Sequence, residues 1–319
     1  MRRPRGGPCH DGPVIVVVGE ALVDRVSTPD GSVTDALGGA PYNVARALAR
    51  LGVDVEFAGA LSTDALGEAL AARLESDGVG TGRVQRVEAP TTIALAEIDT
   101  GGTATYRFQI LGTAAPQLTR LAADGDLTAL VTGGLALVFP PMVDTVLEAM
   151  EVVGDDVLVF VDVNCRPAVV EDRLRYFDAV RRACGRADVV KVSDEDLDVL
   201  APDLDVEAML SLGAAAVIVT AGARGSTVVS GHGRREVPVA TPPEPVVDTI
   251  GAGDTFSAGF VAWWTLAGLG RDDLRGPASL DRLAEAVAAA GVAAAVTVTR
   301  RGCDPPHLPD LPTPWPPPP

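Results

Sequence analysis

The sequence predicts an α/β protein: a three-layer sandwich with a mostly parallel central sheet and a small separate β-sheet as a lid. Three observations carry that expectation. Short, continuous apolar runs such as Val14–Val18, Val157–Val161 and Ala216–Thr220 have the character of strands covered on both faces. Stretches with helical spacing separate them, and strand–helix alternation implies parallel pairing. At Thr91–Ile98 and Thr103–Gln109 the pattern changes to polar–apolar alternation around Asp99-Thr100-Gly101-Gly102, which is a hairpin signal.

Composition narrows the class. With 319 residues, 47% apolar and 22% charged, the chain has ample material for a large core. We see no internal linker, so residues 13–304 form one domain between a flexible N-terminus at 1–12 and a loose proline-rich tail at 305–319. The net charge of −17 argues against nucleic acid and anionic membrane as partners. Positive potential for any nucleotide must then come locally, from helix ends, Mg²⁺ or a few arginines. Lys191 is the one lysine. A Walker A loop is absent, and so are the strand lysine and H-R-D of protein kinases. Cys9, Cys165, Cys184 and Cys303 show no close pairing and read as reduced structural thiols of a cytoplasmic protein. His10, His232 and His307 are scattered among loop signals, which supports neither a metal cluster nor a Ser-His-Asp triad. No apolar run reaches transmembrane length without interruption.

The elements follow in order. Val14–Val18 is the first strand, and Asp24 lies beyond its end, where open α/β sheets bind ligands. Asp24 is a candidate contact for substrate hydroxyls, or else a surface turn carboxylate. Leu22–Thr28 and Ser32–Leu37 join the two hairpin strands in the lid, from which Tyr106 and Arg107 either close over substrate or face solvent. After Gly38-Gly39, Pro41 suits a first helical turn and the helix runs to about Leu51. Asn43 on that turn offers an amide to a polyol, or caps the helix locally. A strand at Val53–Ala58 and a helix at Asp64–Ser76 come next, then a strand at Leu135–Val138 and a helix at Val143–Val152. The strand Val157–Val161 runs into Asp162-Val163-Asn164-Cys165-Arg166, making Arg166 the best candidate cation facing substrate or phosphate. After the strand at Val189–Val190, Ser193 caps a helix whose acidic start includes Asp196, either for the cap alone or to hold hydrated Mg²⁺ through water. Thr220 and Gly222 follow the strand Ala216–Thr220 and border a nucleotide if one binds there. Strands at Thr227–Val229 and Glu236–Val239 come next, and the last helix, about Leu280–Val298, packs an almost wholly alanine face closely on a neighbour.

The organising stretch is Asp248-Thr249-Ile250-Gly251-Ala252-Gly253-Asp254, where a loop becomes an apolar helix. Gly251, Ala252 and Gly253 leave backbone N–H groups open at a helix N-terminus, where the dipole favours an anion. Asp254 would repel that anion unless it takes a proton from a hydroxyl while the amides hold the developing charge. That pairing suggests phosphoryl transfer to an alcohol. The alternative is an ordinary glycine turn with an acidic first helical turn.

Gly38-Gly39-Ala40-Pro41-Tyr42-Asn43 near the start and Asp248–Asp254 near the end, with Val219-Thr220-Ala221-Gly222 and Thr299-Arg300-Arg301-Gly302, resemble the ribokinase-like (PfkB) sugar kinases across residues 14–304. Glu20–Asp24 and Asp162–Pro167 look most like the fructokinase and 2-keto-3-deoxygluconate kinase branch, although the Leu-Trp that often follows the arginine is replaced by Ala168-Val169-Val170. The resemblance implies a ribokinase-like α/β/α sandwich that phosphorylates a small sugar with ATP. By it, Asp254 is the base and Gly251, Ala252 and Gly253 the anion hole. Asp24, Gly38, Gly39 and Asn43 are sugar contacts, while Ser193, Thr220, Gly222, Gly225 and Gly253 are ATP contacts. Asp248, Ile250, Thr297 and Gly302 match a monovalent-cation site, usually K⁺. The N-x-x-E motif tied to Mg²⁺ stands as Ser193-Asp194-Glu195-Asp196, with the shorter Asp196 at the glutamate position. Dimerisation through the lid occurs in parts of the family. A nucleoside kinase of the same fold and a non-catalytic nucleotide-binding homologue are the alternatives. A Rossmann dehydrogenase fails because the G-x-G lies late and lacks its third glycine.

Overall fold

The structure, a computed structural model, describes residues 14–28, 30, 32–98, 104–121 and 127–315. In chain order, the first elements are β1 (Val14–Val18), β2 (Leu22–Ser27), β3 (Val33–Gly38), α1 (Ala40–Arg50), β4 (Val55–Ala58) and β5 (Ala60–Ser62). Then come α2 (Ala65–Ser76), β6 (Gln85–Val87), β7 (Ile93–Ile98), β8 (Ala104–Gln109), β9 (Leu127–Gly133), α3 (Met142–Val152) and β10 (Leu158–Asp162). The rest are α4 (Arg173–Arg186), β11 (Val189–Ser193), α5 (Asp194–Leu200), α6 (Val206–Leu212), β12 (Ala216–Thr220), β13 (Ser226–Ser230), β14 (Gly233–Val237), α7 (Ala252–Leu266) and α8 (Ser279–Thr297).

One eight-stranded sheet runs β14-β13-β12-β11-β10-β9-β1-β4. It is parallel from β4 to β12, and β13 and β14 add antiparallel strands at one edge. The period-2 geometry of a strand divides β1 between two cores. Ile15 and Val17 pack with α1, α7 and α8, whereas Val14, Val16 and Val18 pack with α3, α4 and α6. A strand that buries both faces must be apolar throughout, and all of β1 is buried. The chain leaves β1 toward β4 on one side and returns to β9 on the other. The carboxyl ends at that reversal are where an open α/β sheet admits a ligand.

The second sheet, ordered β3-β2-β7-β8, grows directly out of β1 through Leu22. The expected hairpin is present as antiparallel β7 and β8, with its Asp99–Gly102 turn outside the described residues. The N-terminus at 1–12 and the end at 316–319 also lie outside them.

Two expectations need correction. Leu135–Val138 is no strand: the strand is β9, Leu127–Gly133, and Gly134–Leu137 forms a short 3₁₀ turn after it. Gly133 and Gly134 both take positive φ, which ends the ladder and turns the chain at the sheet's carboxyl edge. The proline-rich tail is not loose between 305 and 315. Pro305, Pro306 and Leu311 are buried, Arg50 Nη1 donates to Pro305 O at 2.6 Å, and Trp315 Nε1 donates to Ala289 O at 3.1 Å. Composition alone suggested a free end, but buried Arg50 needs acceptors, and the tail provides one across α1. Among the described residues no helix is long and apolar enough to cross a membrane.

The alanine face of α8 does bring a neighbour close, as the sequence suggests. Ala286, Ala290 and Ala293 are fully buried, and a Cβ on Gly259 of α7 would stand 3.0 Å from Ala290 Cα. Gly259→Leu therefore forces α7 and α8 apart. We expect a loss on the order of 3 kcal/mol by equilibrium urea unfolding, and unchanged stability would show that the helices can separate freely.

Candidate active site

Helix α7 begins at the seam between two cavities. Gly251 is its N-cap and takes left-handed φ 77°, and a Cβ there would overlap Cys303 Sγ, so only glycine fits. Val247 and Asp248 N–H groups donate to Val298 O at 2.8 and 3.2 Å, which fastens the loop to the end of α8. Among the described residues no acceptor engages the N–H groups of Gly251 and Gly253. Ala252 departs from the expected open cluster: its N–H turns back to Thr249 O at 3.2 Å.

One cavity, about 380 Å³, is polar and lies under the second sheet. Asp24, Gly39, Asn43, Arg166, Ile250, Gly251, Gly253 and Asp254 all line it, so the expected sugar contacts and catalytic loop meet there. Gly38 stands behind them, where a Cβ would come within 2.6 Å of Asp24 Oδ2. Tyr106 and Arg107 belong to β8, but their side chains lie outside the described residues. The other cavity, about 600 Å³, is walled by Val237, Val239, Val246, Val287 and Val298 together with Thr220, Gly222 and Gly225. Thr249 and Gly253 border both cavities.

Asp254 sits in the first turn of α7 and accepts a 2.8 Å hydrogen bond from Asn43 Nδ2. Asn43 is thus no local cap; Gly39 holds that position on α1. Burial pushes the Asp254 carboxyl up to about 6, the Asn43 amide, Lys191 and Arg166 pull it down, and the charge of Asp162 adds to the rise. A carboxyl poised there still ionises at neutral pH and accepts a proton readily. Arg166 is carried into the cavity by the turn after β10, where Asn164 adopts left-handed φ 43° and Arg166 Nη1 donates to Cys165 O at 2.9 Å.

Ser193 and Asp196 form a capping box on α5. Ser193 Oγ accepts from Asp196 N at 3.0 Å, while Asp196 Oδ2 accepts from Ser193 N at 2.8 Å and Oδ1 from Cys165 N at 2.7 Å. Both carboxylate oxygens are engaged by backbone, and neither residue lines either of these two cavities. Among the described residues no group of three His, Cys, Asp or Glu is placed to hold a metal ion. Asp248 Oδ1 and Oδ2 accept from Ile250 N at 3.0 Å and Gly302 N at 2.9 Å, drawing those segments together. The Thr297 side chain points elsewhere, donating to Thr255 Oγ1 at 3.0 Å between α7 and α8.

Several site residues escaped the sequence reading. Lys191 lines the polar cavity, buried, with Nζ 3.0 and 2.9 Å from the oxygens of Asp162. Ser257 Oγ donates to Asp162 Oδ2 at 2.7 Å. Glu20 is also in the wall. Its Oε1 accepts from Ala40 N at 3.3 Å, and its buried Oε2 has no partner among the described residues. Burial drives the Glu20 carboxyl up to about 8, against backbone donors and Arg166. The available signals were position and rarity: Glu20 directly follows β1, and Lys191 is the chain's sole lysine on a strand end.

Because its folded value is raised, Glu20 contributes stability below its unfolded value near 4.5, and this is lost as pH rises through about 8. We expect Glu20→Gln, which cannot ionise, to raise Tm relative to wild type at pH 9 more than at pH 5. A constant difference across that range would mean that Glu20 is ionised in the fold.

A family model described as "pfkB family carbohydrate kinase" matches residues 13–311. The fructokinase of Rhizobium leguminosarum bv. trifolii is 34% identical over 288 residues, covering 85% of each chain. The solved fructokinase from Xylella fastidiosa with bound ATP superposes with TM-score 0.80 at 26% identity, covering 94% of this chain and 95% of that one. An aminoimidazole riboside kinase from Salmonella enterica superposes with TM-score 0.76 at 25% identity, covering 95% and 97%. With a carboxyl and open amides where two cavities meet, and this match over nearly its whole length, the chain belongs to the pfkB family of carbohydrate kinases.

Proposed function

We propose that this enzyme transfers the γ-phosphoryl group of ATP to a hydroxyl of fructose or a closely similar small sugar. The observation that carries the reading is the placement of Asp254 and the free Gly251 and Gly253 amides at the border shared by a polar and an apolar cavity. The apolar cavity suits an adenine base, with the triphosphate running toward Gly253. The polar cavity suits a polyol held by Asp24, Asn43 and Arg166. Relatives named fructokinase at 30% identity or more favour fructose as acceptor.

In this scheme Asp254 removes the proton of the sugar hydroxyl as its oxygen attacks the γ-phosphorus in line. The loop amides hold the equatorial oxygens, so positioning and fixed dipoles supply most of the acceleration. Both Asp196 oxygens are committed to backbone donors, so this residue does not fit the water-mediated Mg²⁺ that the resemblance implies there. Asp248, unlike buried Asp196, is only partly buried, so beside the N–H groups of Ile250 and Gly302 its oxygens would keep lone pairs for a K⁺, and such an ion would supply positive charge that steadies the anion loop. Thr297 does not fit that set by its side chain. The buried free thiols Cys165 and Cys184 agree with a cytoplasmic enzyme.

The structural likeness to a riboside kinase makes ribosides the second acceptor class. A panel of fructose, other hexoses, 2-keto-3-deoxygluconate and ribosides, assayed with ATP, separates them. We expect fructose to give the highest kcat/KM, and a preference for a riboside would overturn the assignment. Asp254→Asn should lower kcat by about 10³-fold with Tm unchanged, and near-normal turnover would remove Asp254 as base. Ionised Asp254 is the active form, so wild-type kcat/KM should fall with unit slope as pH drops through about 6. A flat profile between pH 7 and pH 5 would contradict that role.

A further inference from the structure

We propose that Lys191 is a further catalytic residue, whose ammonium stabilises the phosphoryl group in transit, with Asp162 and Ser257 as its positioning residues. This rests on the kinase reading above. Lys191 and Asp162 are register partners on the adjacent strands β11 and β10. Both are about 95% buried, and two Lys191 N–H donors lie on the Asp162 oxygens at 3.0 and 2.9 Å. An ammonium has three donors, so one remains for the cavity that Lys191 lines. Its Nζ stands 3.4 Å from the point where a Cβ would extend from Gly253, which with Thr249 borders both cavities. Ser257 on α7 donates to the same Asp162 carboxylate, and so ties the ammonium to the helix whose tip carries Asp254.

A buried ion pair is a poor source of stability, because apolar residues of similar volume usually serve as well or better. A chain that otherwise uses arginine for every positive side chain has retained one lysine here. A compact charge with a free donor suits a target that exists only during transfer. The anion loop also needs it: the Ala252 N–H is turned back to Thr249, which leaves fewer amides for the equatorial oxygens. In the step itself, the bond from the γ-phosphorus to the bridging oxygen breaks and its electron pair leaves on ADP. The sugar oxygen bonds to phosphorus, its proton passes to Asp254, and Lys191 stays protonated throughout.

The test must separate catalysis from neutralisation of Asp162. In Lys191→Met/Asp162→Asn the buried charges leave together, so a purely neutralising lysine becomes dispensable. With the acceptor that wild type phosphorylates best in the panel, and with ATP, we expect kcat to fall about 100-fold. Tm and the acceptor KM should stay within a few degrees and threefold of wild type. Asp162→Asn alone, which keeps the lysine, should retain at least a tenth of wild-type turnover. Lys191→Gln/Asp162→Asn, whose amides can hydrogen-bond each other, gives the same reading should the methionine variant fold poorly. ADP–aluminium fluoride should bind both double variants at least tenfold more weakly than wild type, with ADP alone unaffected. Turnover within threefold of wild type in a folded double variant would overturn the proposal, as would an equal loss in Asp162→Asn alone. Wild type that phosphorylates no acceptor in the panel fails the kinase reading instead, a result distinct from either.

Discussion

The hydrogen bond from Asn43 to Asp254 joins groups 211 positions apart in the chain, and the site depends on it. It holds the first turn of α1 against the first turn of α7, two helices whose N-termini open at the same end of the sheet. Without such a tie, a carboxyl at a helix tip is free to turn toward solvent and stay fully ionised. With it, Asp254 is kept in the cleft, where burial raises its affinity for a proton by more than the Asn43 amide lowers it. The close approach of α7 to α8 at Gly259 fixes the other end of the same lever. Packing thus sets the position of one carboxyl oxygen.

Charge is the second constraint. The polar cavity and its floor hold Glu20, Asp24, Asp162 and Asp254, against Arg166 and Lys191, in a chain of net charge −17. Four full negative charges would repel a polyphosphate strongly. The structure lessens that conflict in three ways. Glu20 is held largely neutral by burial, Asp162 is covered by Lys191 and Ser257, and the Gly251 and Gly253 amides present positive dipole without a side chain. An acidic protein can therefore present an anion site where positive potential gathers, at one helix tip beside Lys191 and Arg166.

Much of this was legible in the sequence because it rests on local pattern. Buried parallel strands announce themselves as β-branched runs, and the glycine-rich turns mark the cavity walls through sterics that reach only a few residues. The misreadings have a common physical cause, which is tertiary pairing. Leu135–Val138 is as apolar as a strand, but the Gly133-Gly134 pair ends the ladder just before it. The tail looks loose until Arg50 and the surface near Ala289 supply its contacts. Asp196 has the composition of a metal ligand, yet its oxygens are taken by its own helix start and by Cys165 N, 31 residues away. Lys191 and Asp162 are 29 residues apart, and only the strand register makes them partners.

The two glycines of the loop are bare for different reasons. Gly251 takes a left-handed φ and leaves to Cys303 the space a Cβ would fill, so its demand is conformational and steric. Gly253 is the second residue of α7 and takes no left-handed φ, so any L-residue can adopt its backbone. A Cβ there would meet nothing closer than Lys191 Nζ at 3.4 Å, an ordinary van der Waals contact. Neither strain nor crowding by the protein therefore explains the glycine. What a methyl group would do is stand on the border between the two cavities, between the ammonium and the open amides. Under the reaction proposed, a phosphoryl group crosses that border, and the missing side chain is the space it needs.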